Sequence, residues 1–152
     1  MASLLTLTYS APTRSLAKGE VLVTQGEKGG DLFVLESGQL TVERNGREIA
    51  IIEAPDSVVG EMSVLLHRPY TATVRAARDS KVRVIHDAIR ILERQPEVAL
   101  RLATVLCQRL DATSALLADM GSEKGESVES EVSALRRLFG TLFGQQPDRE
   151  PG

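Results

Sequence analysis

The residues of this chain whose types and spacing could do chemistry are concentrated in positions 59–76. Gly60 and Glu61 precede a short apolar segment that is predicted to form a turn of helix. The main-chain amides of Met62 and Ser63 would begin this helix, and a helix N-terminus is a ready site for an anion because its amides point at the ligand. A proline-led strand of alternating small and β-branched residues follows. This arrangement favours a loop that holds a phosphate group.

Composition and charge limit what the whole chain can be. Its 152 residues are about one domain, and a composition of 42% apolar and 26% charged residues is ordinary for a soluble globular protein. The formal net charge of −3 gives no overall attraction to nucleic acid or to an anionic membrane. The single cysteine, Cys107, cannot form an internal disulfide, and no stretch approaches the ~18 apolar residues of a membrane span. We therefore expect a cytoplasmic protein.

The first half of the chain is predicted to consist of short β-strands separated by turns. Asn45-Gly46 suits a two-residue type I′ hairpin, since both central residues of that turn need a positive φ. Short strands broken by turn residues are typical of a sandwich or a barrel. The candidate strands are Leu4–Tyr9, Val21–Thr24, Leu32–Leu35, Leu40–Arg44, Glu48–Ile52, Thr71–Ala76 and Lys81–Ile85.

After Ile85 the spacing of the apolar residues becomes helical. His86-Asp87 is predicted to cap a short helix over residues 88–94, and Pro96 opens a longer helix because proline suits the first helical turn. This second helix is predicted to end at Met120. Small and apolar residues recur along it at spacings of three and four, the pattern of a helix packed along a partner helix. We expect a homodimer through this face, which consists of Ala103, Leu106, Leu110, Thr113, Leu117 and Met120.

The remaining residues fall into three segments by composition. Gly121 is predicted to stop the long helix, and residues 121–128 are polar and rich in Gly and Ser, which is typical of a linker. Residues 129–143 have a broad apolar face and are predicted to form an amphipathic helix that docks on the domain or on a protein partner. Residues 144–152 are expected to be a disordered tail.

Two motifs give the chain a resemblance to a known family. Residues 22–38 match the first motif at every constrained position, and residues 59–76 match the second motif at every position except Tyr70. A long helix follows at the expected distance. On these residues the chain resembles the cyclic-nucleotide-binding domain family over residues 19–120.

The resemblance implies a mainly β fold, α+β overall. The expected architecture is a jelly-roll-type β-roll over residues 4–85, helices over 87–120 and a long C-terminal dimerisation helix, which together make one domain over 1–120. In transcription regulators of this family the long helix leads into a helix-turn-helix domain. Residues 121–152 are too few for such a domain and carry more acidic than basic side chains, so we expect no DNA binding by this chain alone.

The resemblance also implies roles for the loop that begins at Gly60. Glu61 would accept a hydrogen bond from the ribose 2′-hydroxyl, or alternatively it would hold the loop by accepting bonds from main-chain amides. The amides of Met62 and Ser63 would bind the cyclic phosphate. The small side chain of Ser63 would let the phosphate approach, or it would serve tight packing.

Tyr70 replaces the arginine that pairs with the phosphate in the family. Arginine offers a full charge and a fixed fork of donors, whereas tyrosine offers one neutral hydroxyl. Losing a hydrogen bond to a charged group costs about 1.5–3 kcal/mol, roughly a tenfold to hundredfold loss of affinity. Arg68 is a candidate substitute charge, although a solvated loop arginine is the simpler interpretation. Thr71 is a candidate contact to the purine, or a β-branched strand residue.

Two hypotheses for the function follow from these residues. The first is a regulatory sensor that binds cAMP, cGMP or a related phosphorylated ligand weakly and signals through the dimer helix to a partner. The second is a ligand-free interaction or scaffold domain that retains the β-roll and the helix. We expect no enzyme activity and no cofactor, because no catalytic set of side chains is recognisable. His67 and His86 lack metal-ligand spacing, and Cys107 is expected to be a buried hydrophobe.

Overall fold

The computed structural model describes residues 1–123 of the chain. Within this range the elements follow one another as α1 (Leu4–Leu7), β1 (Thr13–Leu16), β2 (Val21–Val23), β3 (Leu32–Ser37), β4 (Leu40–Arg44), β5 (Arg47–Ile52), β6 (Val58–Val59), α2 (Glu61–Leu66), β7 (Thr73–Ala76), β8 (Ser80–Ile85), α3 (Ala88–Arg94) and α4 (Pro96–Glu123).

The eight strands of this range form two four-stranded antiparallel sheets. The first sheet has the order β1-β8-β3-β6 and the second the order β2-β7-β4-β5. Leu40 in the second sheet lies opposite Ile52 on one side and Ala76 on the other. The two sheets make a β-roll that a long helix follows, which confirms the predicted fold class.

The hydrophobic core is built from residues of both sheets. In β8, Val82 and Val84 are buried, whereas Lys81 is exposed and Arg83 is half-buried. The buried members of this cluster are Leu16, Leu22, Val23, Phe33, Leu35, Leu40, Val59, Val74, Ala76, Val82 and Val84. Tyr70 packs against the cluster from its edge, so the core directly supports the loop that carries the candidate site.

The predicted strand over Leu4–Tyr9 is wrong, because residues Leu4–Leu7 form the short helix α1. Ser3 caps this helix: its hydroxyl accepts a hydrogen bond from the amide of Thr6 at 3.1 Å. Leu4 is fully buried, so one apolar side chain anchors the whole turn. A short apolar run is compatible with either a strand or a helix, and here the serine cap favours the helix.

Two strands of the structure carry little sequence signal. β1 has the sequence Thr-Arg-Ser-Leu with three exposed residues, and β6 consists of Val58 and Val59 alone. The predicted strand over Thr71–Ala76 begins only at Thr73, because residues 71 and 72 form a bend. The other predicted strands agree with the structure to within one or two residues at each end.

The hairpin between β4 and β5 forms as predicted. Asn45 and Gly46 both have a positive φ, 52° and 77°, as a type I′ turn requires. The side chain of Gln25 holds the turn from the neighbouring loop: its amide group donates to Asn45 Oδ1 at 2.8 Å, and its oxygen accepts from the Asn45 amide at 2.9 Å.

The helices after the β-roll agree with the predicted helices except at the N-cap of α3 and the C-terminal end of α4. α3 has the predicted bounds, but Asp87 at its N-cap makes no side-chain capping bond. α4 continues through Gly121 to Glu123, so the predicted stop at Gly121 is wrong; a glycine inside a helix costs only about 1 kcal/mol. The predicted linker therefore begins no earlier than residue 124. The expected linker, amphipathic segment and tail over residues 124–152 lie outside the described residues.

The chain divides into two compact units, the first being Met1–Thr104 and the second beginning at Val105. Within the first unit, Val98 and Leu102 of α4 are buried. Within the second, Cys107 is exposed, so the expectation of a buried cysteine is wrong: this position faces solvent on its helix. Of the predicted dimer face, Ala103, Leu110 and Thr113 are exposed and Leu106 and Leu117 are half-buried.

Candidate functional site

The candidate loop begins with a glycine that the backbone requires. Gly60 follows β6 with a φ of 93°, in the left-handed region that side-chain-bearing residues avoid. A Cβ atom at this position would lie 2.7 Å from the main-chain oxygen of Asp31. Both constraints exclude other residues, and they bring the start of α2 against the beginning of β3.

Glu61 and the amides that follow it occupy the first turn of α2. The Glu61 carboxylate lies at the positive end of the helix dipole, which favours a negative charge there. The amides of Met62 and Ser63 belong to the first turn, where an α-helix supplies no acceptor of its own. The structure therefore places these three sequence-predicted residues together, with donors and one carboxylate side by side.

Ser63 is buried, and its hydroxyl is occupied by main-chain partners. The hydroxyl donates to the Gly60 oxygen at 2.9 Å and accepts from the Gly30 amide at 3.4 Å. A Cβ atom on Gly29 would lie only 2.4 Å from the Ser63 side chain. This contact supports the packing role of the small residue: it lets the turn between β2 and β3 close onto α2.

Tyr70 is fixed by its main chain and its hydroxyl. Its amide donates to the Glu27 oxygen at 3.0 Å, and its oxygen accepts from the Gly26 amide at 2.8 Å. The phenol hydroxyl donates to the main-chain oxygen of Asp31 at 3.4 Å. The Tyr70 ring is packed against Gly60, where an added Cβ atom would lie 3.5 Å from the ring. At the position of the family's arginine, the structure thus has a ring packed into the β-roll.

The electrostatic surroundings of Tyr70 are negative. Burial raises the pKa of the Tyr70 phenol, and the carboxylates of Asp31 and Glu27 raise it further. A phenolate next to two carboxylates is unfavourable, so Tyr70 stays a neutral donor. The position therefore supplies no positive charge to a phosphate.

The remaining predicted residues lie on the rim of the loop. Thr71 is half-buried, with its hydroxyl 3.9 Å from the Met62 sulfur, so it contacts the start of α2. Arg68 is exposed, and its main-chain amide donates to the Ser63 oxygen at 3.3 Å. The Arg68 guanidinium has no ion pair within residues 1–123. His67 ends α2 in a left-handed conformation and is exposed.

Asp31 is a functional neighbour that the sequence did not indicate. Its carboxylate contacts His86 Nδ1 at 3.2 Å and accepts from the Asp87 amide at 3.2 Å. The Gly30 oxygen accepts from the Ala88 amide at 3.0 Å. The turn between β2 and β3 is thereby bonded both to the loop at Tyr70 and to the start of α3. His86 contacts Asp31 rather than capping the helix.

Two further features, a metal site and a membrane-spanning helix, are not found among the described residues. Residues 1–123 contain no cluster of three His, Cys, Asp or Glu side chains that could hold a metal ion. None of the helices in that range is both long and apolar enough to cross a membrane.

Comparison with known proteins decides the family. The family model of the cyclic nucleotide-binding domain matches residues 13–89 of the 152, a range that includes Gly60, Tyr70 and the turn between β2 and β3. The chain belongs to the cyclic nucleotide-binding domain family. It is a regulatory domain of the cyclic nucleotide-binding type.

Individual relatives agree with this assignment. The chain is 29% identical over 134 residues to the CRP-like cAMP-activated global transcriptional regulator of Mycobacterium tuberculosis, a match that covers 84% of this chain and 60% of that protein. The catabolite activator protein of Thermus thermophilus superposes with a TM-score of 0.63 at 25% identity, over 78% of this chain and 59% of that one. The N-terminal domain of a transcriptional regulator from Streptomyces coelicolor gives a TM-score of 0.54 at 32% identity, over 71% and 81%.

The chain spans about three fifths of the length of the first two of these proteins. The cyclic nucleotide-binding family model covers the whole β-roll from β1 to β8, and it ends at the first turn of α3. The shared part is therefore the candidate site and the sheets that support it.

Proposed function

We propose that this chain is a sensor that binds a cyclic nucleotide, cAMP or cGMP, weakly at the loop from Gly60 to Thr71. The observation that carries the proposal is the geometry of this loop. Glu61 and the amides of Met62 and Ser63 share the first turn of α2, while the phosphate position of the family has a neutral Tyr70. The relatives named as cAMP-activated and catabolite activator proteins support a cyclic nucleotide as the ligand.

The weakness of binding follows from the charge at position 70. A phosphate would keep its hydrogen bonds to main-chain amides but would lose the pairing with an arginine. Such a bond to a charged group is worth about 1.5–3 kcal/mol, which corresponds to a loss of roughly one to two orders of magnitude in affinity. We propose that the bound state is passed on to a partner through α4 and a homodimer.

A ligand-free scaffold is the second candidate function, and one observation favours it. The Tyr70 hydroxyl already has an acceptor in the Asp31 oxygen, and its ring packs against Gly60 and the core. With these contacts, the Tyr70 side chain is held in position without a bound ligand. Under this alternative the β-roll and α4 serve only to contact other proteins.

Calorimetric titration with cAMP and cGMP separates the two candidates. For the sensor we expect weak binding by the wild type, and binding by Tyr70→Arg that is at least roughly tenfold tighter because a charged donor is restored. Glu61→Ala in the Tyr70→Arg background should weaken the binding again. Tyr9→Arg is the matched control, because it makes the same chemical change at a side chain that is 81% exposed.

Two outcomes count against the sensor. Thermal unfolding first establishes that Tyr70→Arg is folded. If the folded variant and the wild type both fail to bind at millimolar nucleotide, the site is remodelled beyond one residue and the scaffold function stands. An equal gain of affinity in Tyr9→Arg would mean that the added charge acts nonspecifically.

A further inference from the structure

A depression in the surface is lined by Tyr70 together with residues that lie outside the candidate loop. Its volume is about 380 Å³, within the range of small-molecule pockets. Gly60, Glu61, Met62, Ser63 and Thr71 do not line it, so Tyr70 is its single connection to the predicted ligand residues. The lining residues are Pro12, Thr13, Arg14, Leu22, Val23, Glu27, Lys28, Asp31, Phe33, Tyr70, Val84 and His86.

The floor of this pocket is apolar and aromatic. Leu22, Val23, Phe33 and Val84 are buried core residues, and the half-buried ring of Tyr70 extends the same surface. An apolar ring or chain placed on these side chains would transfer its own surface out of water, which is the main source of affinity in small-molecule sites.

The charges on the rim favour a cation over an anion. Glu27 and Asp31 lie close enough to Tyr70 to raise the pKa of its phenol. Two carboxylates and two cations line the rim, and one of the cations, Arg14, is paired with a residue outside the lining, Glu20, at 3.3 Å. Asp31, whose main-chain oxygen accepts from the Tyr70 hydroxyl, contributes its carboxylate to the rim next to Tyr70.

We propose that this pocket binds a small organic cation, an amine with an apolar body. The apolar body lies on the floor beside Tyr70 and Phe33, and the ammonium group faces Asp31. An ammonium forms charge-assisted hydrogen bonds with a carboxylate, and it is attracted to the face of a neighbouring aromatic ring. The proposal goes beyond cyclic-nucleotide binding, since it assigns a different ligand class to a different set of residues.

Such a ligand would contact the residues that connect the loop with α3. Tyr70 donates a hydrogen bond to the main-chain oxygen of Asp31. The Asp31 carboxylate contacts His86 and accepts from the Asp87 amide at the start of α3. Occupation of the pocket would therefore stabilise both connections at once.

The chain offers a clean optical probe for a test. It contains no tryptophan and two tyrosines, of which Tyr9 is 81% exposed. In a Tyr9→Phe background all tyrosine emission comes from Tyr70, which lines the pocket. Phenethylamine and phenylacetate are the probes, because they have the same ring but opposite charges. We expect phenethylamine to change the Tyr70 emission saturably and phenylacetate to bind at least tenfold more weakly.

Variants then test the residue that faces the ammonium group. Asp31→Asn should weaken phenethylamine at least tenfold while keeping an oxygen that accepts from the Asp87 amide. Asp79→Asn is the matched control, because Asp79 also accepts from a main-chain amide, that of Lys18 at 2.9 Å, but lies outside the pocket. If thermal unfolding shows that Asp31→Asn is not folded, Glu27→Gln, a change at an exposed residue, is used instead. We expect Glu27→Gln to weaken phenethylamine binding severalfold.

The proposal is overturned if neither probe changes the Tyr70 emission saturably at millimolar concentration. It is also overturned if phenylacetate binds as tightly as phenethylamine, or if the pocket variants bind phenethylamine as tightly as Asp79→Asn does. Glu61→Ala distinguishes this result from a failure of nucleotide binding. It should leave phenethylamine affinity unchanged, while calorimetry with cAMP tests the nucleotide site separately.

Discussion

Arg83 joins β8 to the neighbouring strand β3 and to the N-terminal turn. Its guanidinium is bonded to Glu36 on the neighbouring strand and donates to the main-chain oxygens of Leu5 and Thr8 at 3.1 and 3.0 Å. The hydrogen bond from Arg83 is the main cause that lowers the pKa of Glu36 from its ordinary value of 4.5. The ion pair with Glu36 therefore orients a guanidinium that is also hydrogen-bonded to the N-terminal turn.

This ion pair predicts an acid-dependent loss of stability. Because the folded-state pKa of Glu36 is lowered, its contribution is complete above the unfolded value near 4.5 and is lost as the pH falls through the folded pKa. We expect Glu36→Gln to flatten the decline of unfolding free energy below about pH 5, measured by urea denaturation at several pH values. The exposed Glu48→Gln is the control. Equal slopes for the wild type and Glu36→Gln would refute the assignment.

Gly60 offers a second test at the scale of one residue. Alanine there would have a positive φ and also a Cβ 2.7 Å from the Asp31 oxygen, whereas alanine at Gly46 would have a positive φ but open space. We expect both variants to be destabilised by about 1–2 kcal/mol from the backbone alone, and Gly60→Ala by at least about 1 kcal/mol more. Chemical denaturation measures the unfolding free energy of both variants. Equal losses of stability would mean that the main chain at Gly60 shifts enough to accommodate the added Cβ atom.

At the scale of the elements, Asp56 connects two helices, α1 and α4, to the loop between β5 and β6. It lies between β5 and β6, its carboxylate accepts from the Leu5 amide of α1 at 2.8 Å, and it pairs with Arg101 of α4 at 3.5 Å. The Arg101 Nε atom is buried without a hydrogen-bond partner within the described residues, so Asp56 is what compensates this guanidinium. The first turn of the chain and the first half of α4 thus depend on the same carboxylate.

Asp56→Asn removes the charge while keeping an acceptor for the Leu5 amide and a side chain that tolerates the positive φ of 74°. We expect a loss of about 1.5–3 kcal/mol in unfolding free energy, because a mostly buried cation loses its charged partner. Asp87→Asn is the matched control. It also has a positive φ and an arginine partner, Arg90 at 3.1 Å, but that pair is exposed and should contribute under about 1 kcal/mol. Similar losses in both variants would contradict this account.

The elements also explain which features were predictable from the sequence. Gly60, Glu61 and Ser63 belong to one local motif, and the Asn45-Gly46 turn is set by backbone geometry at two residues. The roles of Asp31 and His86 depend on contacts between residues 39 to 56 positions apart, which no local pattern encodes. The short strands β1 and β6 owe their pairing to β8 and β3 rather than to their own composition.

At the scale of the whole molecule, the proposed homodimer depends on the exposed side chains of α4. Within the second unit the apolar side chains of Leu110 and Leu116 are 37% and 64% exposed, on a helix that continues to Glu123. Exposed apolar stripes of this kind mark contact surfaces in soluble proteins. Leu110 belongs to the predicted 3,4-spaced face, and a partner helix lying along that face would cover its side chain, as the predicted homodimer requires.

The dimer prediction is tested by sedimentation of the wild type and two variants at micromolar concentration. Leu110→Glu places a charge in the middle of the proposed contact, and an unpaired charge buried between two helices costs more than the leucine contact contributes. We therefore expect a dimeric wild type and a monomeric Leu110→Glu. Gln108→Glu is the control, because it adds the same charge at an exposed position on the other face of α4 and should remain a dimer. A monomeric wild type would rule out signalling through a helix dimer, and the sensor would then need a different contact to its partner.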